Sequence, residues 1–422
     1  MTRLEPGLRR GTMTVPVSKS HAHRVLIAEF LAGRTACLAA NAADCDDICA
    51  TKRCLAALTA RLAPRARDGA AQGTPRARDG AERGTPRARD GAAQGTPRAR
   101  DEAAQETLCA RDGAERPVTL DCGESGTTRR LLGPVVAALG VTPDWVMKGR
   151  LATRPQIDYA HLEPGVQVLP GDVSSQFVSG LLLALPLLDG DSEIRLSSPL
   201  ASRGYVDMTL DVLRDYGVSV EETATGFRVA GRQRFCAPAD GPHIEADWSG
   251  AAFPLAMNAL GNAIRLSNAE GSVLADDSRQ PDRAIVGMLK DFARAGGVTI
   301  DVDACPDIFP ILTVVAAKRP GVTRFTGIRR LRLKESDRVA AMADVLTRFG
   351  VAADVSEAAF AVHGRTAPLC GGSFHSFADH RIAMSIAVGA TVCDGPVEID
   401  DERCASKSYP GFFAQVAALR PR

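Results

Sequence analysis

Six short strings between residues 18 and 407 are rich in hydroxyls, glycines or carboxylates, and five of them carry a lysine or arginine. They are Ser18-Lys19-Ser20-His21-Ala22-His23-Arg24, Glu124-Ser125-Gly126-Thr127-Thr128-Arg129-Arg130, Ser174-Ser175-Gln176, Lys334-Glu335-Ser336-Asp337-Arg338, Asp379-His380-Arg381 and Ala405-Ser406-Lys407. Phosphate and carboxylate oxygens require such sets, because charge-assisted and bidentate hydrogen bonds offset the loss of ion hydration. Two anionic small molecules are the implied ligands. Two carboxylates have the chemistry of proton transfer: Asp307, in Cys305-Pro306-Asp307 ahead of an apolar, helix-like run, and Glu335, between Lys334 and Arg338. Asp307 is also placed to cap that helix. A neighbouring cation favours the charged form of Glu335, so a proton-donating Glu335 needs burial or the ligands' own negative charge to oppose it.

The elements that must position these strings appear as an internal repeat. Residues 202–231 laid on 335–364, an offset of 133, match Val212-Leu213 with Val345-Leu346, Tyr216-Gly217-Val218 with Phe349-Gly350-Val351, and Phe227, Val229 and Gly231 with Phe360, Val362 and Gly364. Each copy reads as an apolar-periodic helix closed by a glycine, an alternating strand, a turn and a second strand. Residues 288–302 give a looser third copy, so the chain is read as α/β modules used several times. Ser202 and Tyr205 fall opposite Glu335 and Arg338, which puts polar residues at the helix start of both copies, where backbone N–H groups and the dipole favour anions. A different repeat fills 64–107: four units of 11 residues built on Pro-Arg-Ala-Arg-Asp, with no apolar side chain larger than alanine. Having nothing to bury against its ordering entropy, this stretch is expected to be a disordered insertion.

Composition excludes several classes of function. The 422 residues, 45% of them hydrophobic, can bury large cores and favour two or more domains. A net charge of +1 gives no reason to expect a nucleic acid or an acidic membrane as partner, so the basic residues act locally. The N-terminus lacks a signal-like apolar segment, and the longest apolar stretch, 177–188, is short and interrupted by proline; a cytosolic protein is expected. Eleven cysteines form no Cys-x-x-Cys pair, and Cys45, Cys49 and Cys54 are spaced as one helix face, so reduced, structural thiols are expected. His21 and His23 alternate like strand residues, but no third metal ligand is near them in sequence.

Taken together and in this order, the strings resemble the 5-enolpyruvylshikimate-3-phosphate synthase family of enolpyruvyl transferases, from about Pro16 to Phe413 apart from the repeat. The resemblance implies an α/β (α+β) protein of two lobes, each three βαβαββ modules arranged as an inside-out α/β barrel. One lobe takes residues 1–17 and 245–422, the other 18–244, with the insertion at 64–116. The implied reaction transfers the enolpyruvyl group of phosphoenolpyruvate to the 5-hydroxyl of shikimate 3-phosphate with release of phosphate, in the shikimate pathway of aromatic amino-acid biosynthesis. No cofactor or metal is implied, since arginines and lysines supply the positive charge, and the partners are two small molecules. A monomer is expected.

By the same resemblance Lys19 lies between the substrates, and Ser20, Arg24, Ser174, Ser175, Gln176, Ser202, Tyr205, Asp307 and Lys334 meet shikimate 3-phosphate. Gly126, Thr127, Arg130, Arg150, Gln176, Arg338, Arg381 and Lys407 meet phosphoenolpyruvate, again with Lys19. Lys19, Asp307, Glu335, His380 and Lys407 are the candidates for catalysis, while Arg129 and Arg154 align at or beyond the edge of the site and Arg154 is read as structural.

Some residues depart from the family pattern. Val17 replaces a small residue, Ala22 a serine and His23 an asparagine; Glu124 and Arg330 also stand where many relatives carry asparagine. Leu131 follows Arg130 where proline is frequent, which bears on phosphonate mimics of phosphoenolpyruvate and leaves the clamp arginines intact. The nearest rival is UDP-N-acetylglucosamine enolpyruvyl transferase, which uses a loop cysteine; Cys109 and Cys122 are the candidates here. A non-catalytic ligand-binding relative would have no need of Lys19, Asp307, Glu335 and Lys407 together.

Overall fold

The computed structural model describes residues 1–39, 41, 43–63, 116–269, 272–294 and 296–422. The 11-residue repeat and all of the expected insertion except Arg116 lie outside the described residues. Two βαβαββ modules carry the 133-residue repeat. In the first, strand Gly165–Leu169 runs parallel to Ser192–Leu196, which pairs antiparallel with Gly226–Val229, itself antiparallel to Val220–Thr223. Helices Ser175–Ala184 and Arg203–Asp215 complete it. The second repeats that order with strands Val298–Asp301, Gly321–Thr326, Ala359–Gly364 and Ala352–Val355 and helices Phe309–Ala317 and Arg338–Arg348. Equivalent cross-strand pairs, Ile194 with Phe227 and Phe325 with Phe360, set the register of both.

The apolar patterns follow burial. The first helix of each module, Ser175–Ala184 or Phe309–Ala317, is surrounded by core, which is why its sequence is apolar on all faces. The second helix faces solvent on one side and shows the 3.6-residue stripe through Val212 and Leu213 or Val345 and Leu346. These helices stop where Gly217 and Gly350 adopt φ of +75° and +72°, a left-handed turn that glycine enters without a Cβ clash. The looser third copy forms no such unit: helix Ile285–Asp291 leads into strand Val298–Asp301, which opens the second module instead of closing one.

Two hydrophobic cores form. One gathers Met13 and Val15 with residues from Ala246 to Leu419; the other gathers residues from Ala22 to Phe235. Strand Arg9–Val15 enters the first core by pairing parallel with Ala263–Asn268 and antiparallel with Arg420–Pro421. The chain passes between the cores twice, and the two passages lie side by side. Val17 bridges Ala246, the Ser18 N–H donates to Glu245 O at 2.7 Å, and the Asp247 N–H donates to Pro16 O at 2.9 Å. Among the described residues no helix is long and apolar enough to cross a membrane.

Candidate active site

Five of the six strings, and Ser202 with Arg203, sit at helix starts, while Ala405-Ser406-Lys407 closes the turn Arg403–Lys407. Helices Lys19–Leu31, Gly126–Ala138, Ser175–Ala184, Arg203–Asp215, Arg338–Arg348 and His380–Ala390 begin at Lys19, Gly126, Ser175, Arg203, Arg338 and His380. Caps fix five of them: Ser18, Ser125, Ser174, Asp337 and Asp379 each accept from a backbone N–H of the first turn. Ser202 is the exception. Held in the left-handed region at φ +52°, its hydroxyl donates to Asp303 O at 3.0 Å and accepts from Arg330 Nη2 at 2.8 Å, a contact between the two cores.

One cavity between the cores is lined by Lys19, Ser20, Arg24, Gly126, Thr127, Arg130, Ser174, Ser175, Gln176, Ser202, Tyr205, Asp307, Lys334 and Glu335. Most of the expected site is therefore together. Gln176 joins its parts: the amide oxygen accepts from Arg130 Nη1 at 2.9 Å, and Nε2 donates to Thr127 Oγ1 at 2.8 Å. Arg130 also lies 5.2 Å from the Phe177 ring and donates to Pro155 O at 3.3 Å. Burial, reinforced by Arg154, lowers its guanidinium to about 10. Arg24 is fully buried, and its guanidinium bonds Thr209, Ser179 and the carbonyls of Ser20 and Tyr205. Its first service is to fix the Ser20 and Tyr205 backbones.

Five expected residues do not line that cavity. Arg338 and Arg381 stand behind Asp307, and His380 is buried beside Asp379, its Nδ1 at 3.7 Å from Oδ1. Both His380 ring nitrogens and Arg381 Nε are buried without a hydrogen-bond partner among the described residues, and burial together with Arg381 keeps His380 neutral. Lys407 donates to Glu124 O at 3.1 Å and to its carboxylate at 3.3 Å. Arg150 is exposed: the turn Gly149–Thr153 sends Leu151 into the core, leaving Arg150 outside and carrying Arg154 to the cavity wall, 3.7 Å from Glu335. The sequence reading assigned Arg150 to the donor and took Arg154 as structural, at or beyond the edge of the site; strand, turn and proline spacing does not reveal which side a 3₁₀ turn faces, and here Arg154 is the one that lines the cavity.

Three charged cavity residues were not anticipated as site residues: Asp47, Arg154 and Arg330. Asp47 pairs with Lys19 at 2.9 Å. Burial alone would lower the Lys19 ammonium, but Asp47 first, with Glu335 farther off, holds it above its ordinary value. The signal for Asp47 was the cluster Asp44-Cys45-Asp46-Asp47 at the start of helix Asp46–Leu62, which lacks a basic neighbour in sequence.

The two candidate carboxylates share one guanidinium. Arg338, 1% exposed, donates Nη1 to Asp307 at 2.8 Å, Nη2 to Glu335 at 3.0 Å and Nε to Asp379 at 2.9 Å. Lys334 adds a contact to Asp307 at 3.3 Å and Arg381 another at 3.8 Å. Burial pushes both carboxyls up, yet the cations prevail: Lys334, Arg338 and Arg381 hold Asp307, and Arg338, Arg154 and Lys407 hold Glu335, well below the usual carboxylate range. Beneath them Asp282 behaves oppositely. Burial, then Asp307, raises it to about 7, and it accepts from the Ser249 hydroxyl.

Local geometry corrects three expectations. His21 and His23 lie on a helix, where His23 Nδ1 meets Thr51 Oγ1 at 2.7 Å and His21 Nδ1 accepts from the Glu245 N–H at 3.2 Å. Asp307 does not cap the helix that follows; Ile308 takes the cap position with no side-chain bond. Glu335 precedes its helix, since Asp337 is the cap. Cys122 is fully buried, and contact with Cys54 together with burial pushes its thiol far up, so it is not a loop acid; Cys109 lies outside the described residues.

Comparison with known proteins agrees with this geometry. A family model for EPSP synthase (3-phosphoshikimate 1-carboxyvinyltransferase) matches residues 152–416. The 3-phosphoshikimate 1-carboxyvinyltransferase of Clostridium kluyveri is 36% identical over 341 residues, 71% of this chain and 77% of that protein. That of Clostridium acetobutylicum is 35% identical over 344 residues, 72% of this chain and 78% of its own. For the fold, EPSP synthase from Acinetobacter baumannii superposes with a TM-score of 0.67 at 21% identity, covering 98% of this chain and 97% of that one. The enolpyruvyl transferase NikO from Streptomyces tendae gives 0.58 at 15% identity, covering 99% and 96%. Helix starts, paired carboxylates and matched length thus lead to one conclusion: the chain belongs to the EPSP synthase family, the 3-phosphoshikimate 1-carboxyvinyltransferases.

Proposed function

We propose that the protein transfers the enolpyruvyl group of phosphoenolpyruvate to the 5-hydroxyl of shikimate 3-phosphate at the cavity between its two cores. The observation that carries the reading is the Arg338 fork, which holds Asp307 and Glu335 on adjacent nitrogens of one buried guanidinium. The acceptor oxygen attacks C2 of the donor while its proton passes to Asp307 as base, and Glu335 gives a proton to C3. The tetrahedral intermediate then expels phosphate as C3 returns its proton. Their neighbouring cations keep both carboxyls ionised. Two phosphates and two carboxylates arriving from the substrates neutralise those cations, raise both carboxyls, and so enable Glu335 to act as an acid and Asp307 as a stronger base.

Helix starts at Ser175 and Arg203, with Ser20, Ser174, Ser202 and Tyr205, are assigned to the acceptor, and Lys19, Gly126, Thr127, Arg130, Gln176, Arg338, Arg381 and Lys407 to the donor. Arg150 belongs to the donor set only if its turn rotates on closure. Residues 1–17 with 245–422, and residues 18–244, are assigned as the two lobes that close. Unpaired thiols at all described cysteines support a reducing, cytosolic setting, and because one chain supplies both substrate sites a monomer suffices. The test is phosphate release from phosphoenolpyruvate with shikimate 3-phosphate, run beside UDP-N-acetylglucosamine. Release with the first acceptor alone is expected; release only with the second, or with neither, refutes the reading.

A further inference from the structure

Lys407 is the one proposed donor contact whose ammonium is held by a carboxylate from the other core. It stands on the turn Arg403–Lys407, which belongs to the core containing both termini, whereas Glu124 lies on the loop between strand Val118–Gly123 and helix Gly126–Ala138. Nζ lies 3.1 Å from the Glu124 carbonyl and 3.3 Å from its carboxylate. The two partners differ in exposure: the Lys407 side chain is 10% exposed and that of Glu124 is 51%. A withdrawn ammonium always seeks an anion, while a half-hydrated carboxylate leaves at little cost. The backbone makes room for the arrangement. Gly149, at φ +54°, lies directly under the Glu124 carboxylate, which a methyl group there would overlap. The neighbouring Ser406 hydroxyl meets Asp46, so the same turn reaches two carboxylates across the cleft.

We propose that Glu124 is a built-in competitor of the donor: its carboxylate occupies Lys407, and an incoming phosphoenolpyruvate anion takes its place. This rests on the reading of Lys407 as a donor contact. Glu124 then sets donor affinity without touching the reacting atoms, and it holds the two cores together until the donor arrives. An exchange of one anion for another on the same cation balances charge and leaves no ammonium buried alone.

The test is steady-state kinetics of Glu124→Gln at low ionic strength. The donor KM is expected to fall about two- to fivefold, the range for an ion pair with one hydrated member. The acceptor KM and kcat should stay within about twofold, and the donor effect should shrink in 0.5 M KCl, where half-exposed charges are screened. Glu124→Asp, one methylene shorter, should show a smaller drop in the same direction and stands in if the glutamine variant folds poorly. A donor KM that is unchanged or higher in both variants overturns the proposal while leaving the donor-site reading intact. Lys407→Gln separates the two: its donor KM should rise at least tenfold, and an unaltered value would overturn both.

Discussion

Replacing Glu335 by glutamine removes one proton and one charge while keeping the side chain's shape, and the structure permits each consequence to be sized. The carboxylate accepts from Arg338 at 3.0 Å and lies 3.7 Å from Arg154, with 16% of its side chain exposed. An amide oxygen still accepts from Arg338, so the stability loss is that between a charge-assisted and an ordinary hydrogen bond, about 1–2 kcal/mol. That corresponds to a Tm lower by a few degrees, at about 2–4 °C per kcal/mol for a unit of 150–250 residues such as either core, and the protein remains folded. Substrate binding should not weaken, because the variant removes a negative charge from a site that receives anions. Turnover should fall by about two to four orders of magnitude, the usual contribution of a general acid, or roughly 3–5 kcal/mol in the barrier. The assay is phosphate release at saturating substrates, with both KM values measured alongside. A kcat within tenfold of the parent would refute the assignment; a large rise in KM with kcat preserved would show that Glu335 binds and does not transfer protons.

Arg130→Lys keeps the charge but loses the two-pronged contact to Gln176 and Pro155, so donor KM should rise more than acceptor KM; equal rises would mean that this arginine positions the cores instead. Asp282, raised from 3.8 to about 7, holds its proton in the folded state over a pH range where the unfolded chain has lost it, so the native protein loses stability as pH climbs through that window. Asp282→Asn should accordingly raise Tm at pH 8 relative to the parent by more than at pH 5, with up to about 4 kcal/mol at stake, and an equal difference at both pH values would sink the argument. Deletion of residues 64–107, which contain no apolar side chain above alanine, should leave activity and melting temperature close to the parent; loss of folding would show that the repeat is needed.

The family's strings were legible because a phosphate site needs cations, hydroxyls and helix starts at once, and all three are written locally: Ser174, Ser175 and Gln176 supply cap, N–H and side chain within three residues. The repeat was legible for the same reason, since helix, glycine and hairpin recur at a fixed offset. What stayed hidden was long-range or directional. Nothing in the sequence joins Glu124 to Lys407, which are separated by 283 positions, or places Asp282 under Asp307. His21 and His23 read as a strand because alternation over three residues fits either period, and burial of Ala22 through Leu31 decided for helix. Arg150 and Arg154 are the sharpest case, since four residues of turn decide which guanidinium meets the cavity.

The side-by-side passages at Val17 and Ala246 also dictate an order of events during synthesis. One core is complete in sequence once Ala246 has been made, and its two ends then lie together, so it can fold as a finished unit while the rest is still being made. Strand Arg9–Val15 has no partner until 263–268 appears, and its other neighbour is Arg420–Pro421. At about 5–20 residues per second that is a wait of tens of seconds. Met13 and Val15, fully buried at the end, spend that interval in solvent or in the care of a chaperone. Met13 and Val15 therefore reach their final burial only after residues far along the chain have been made.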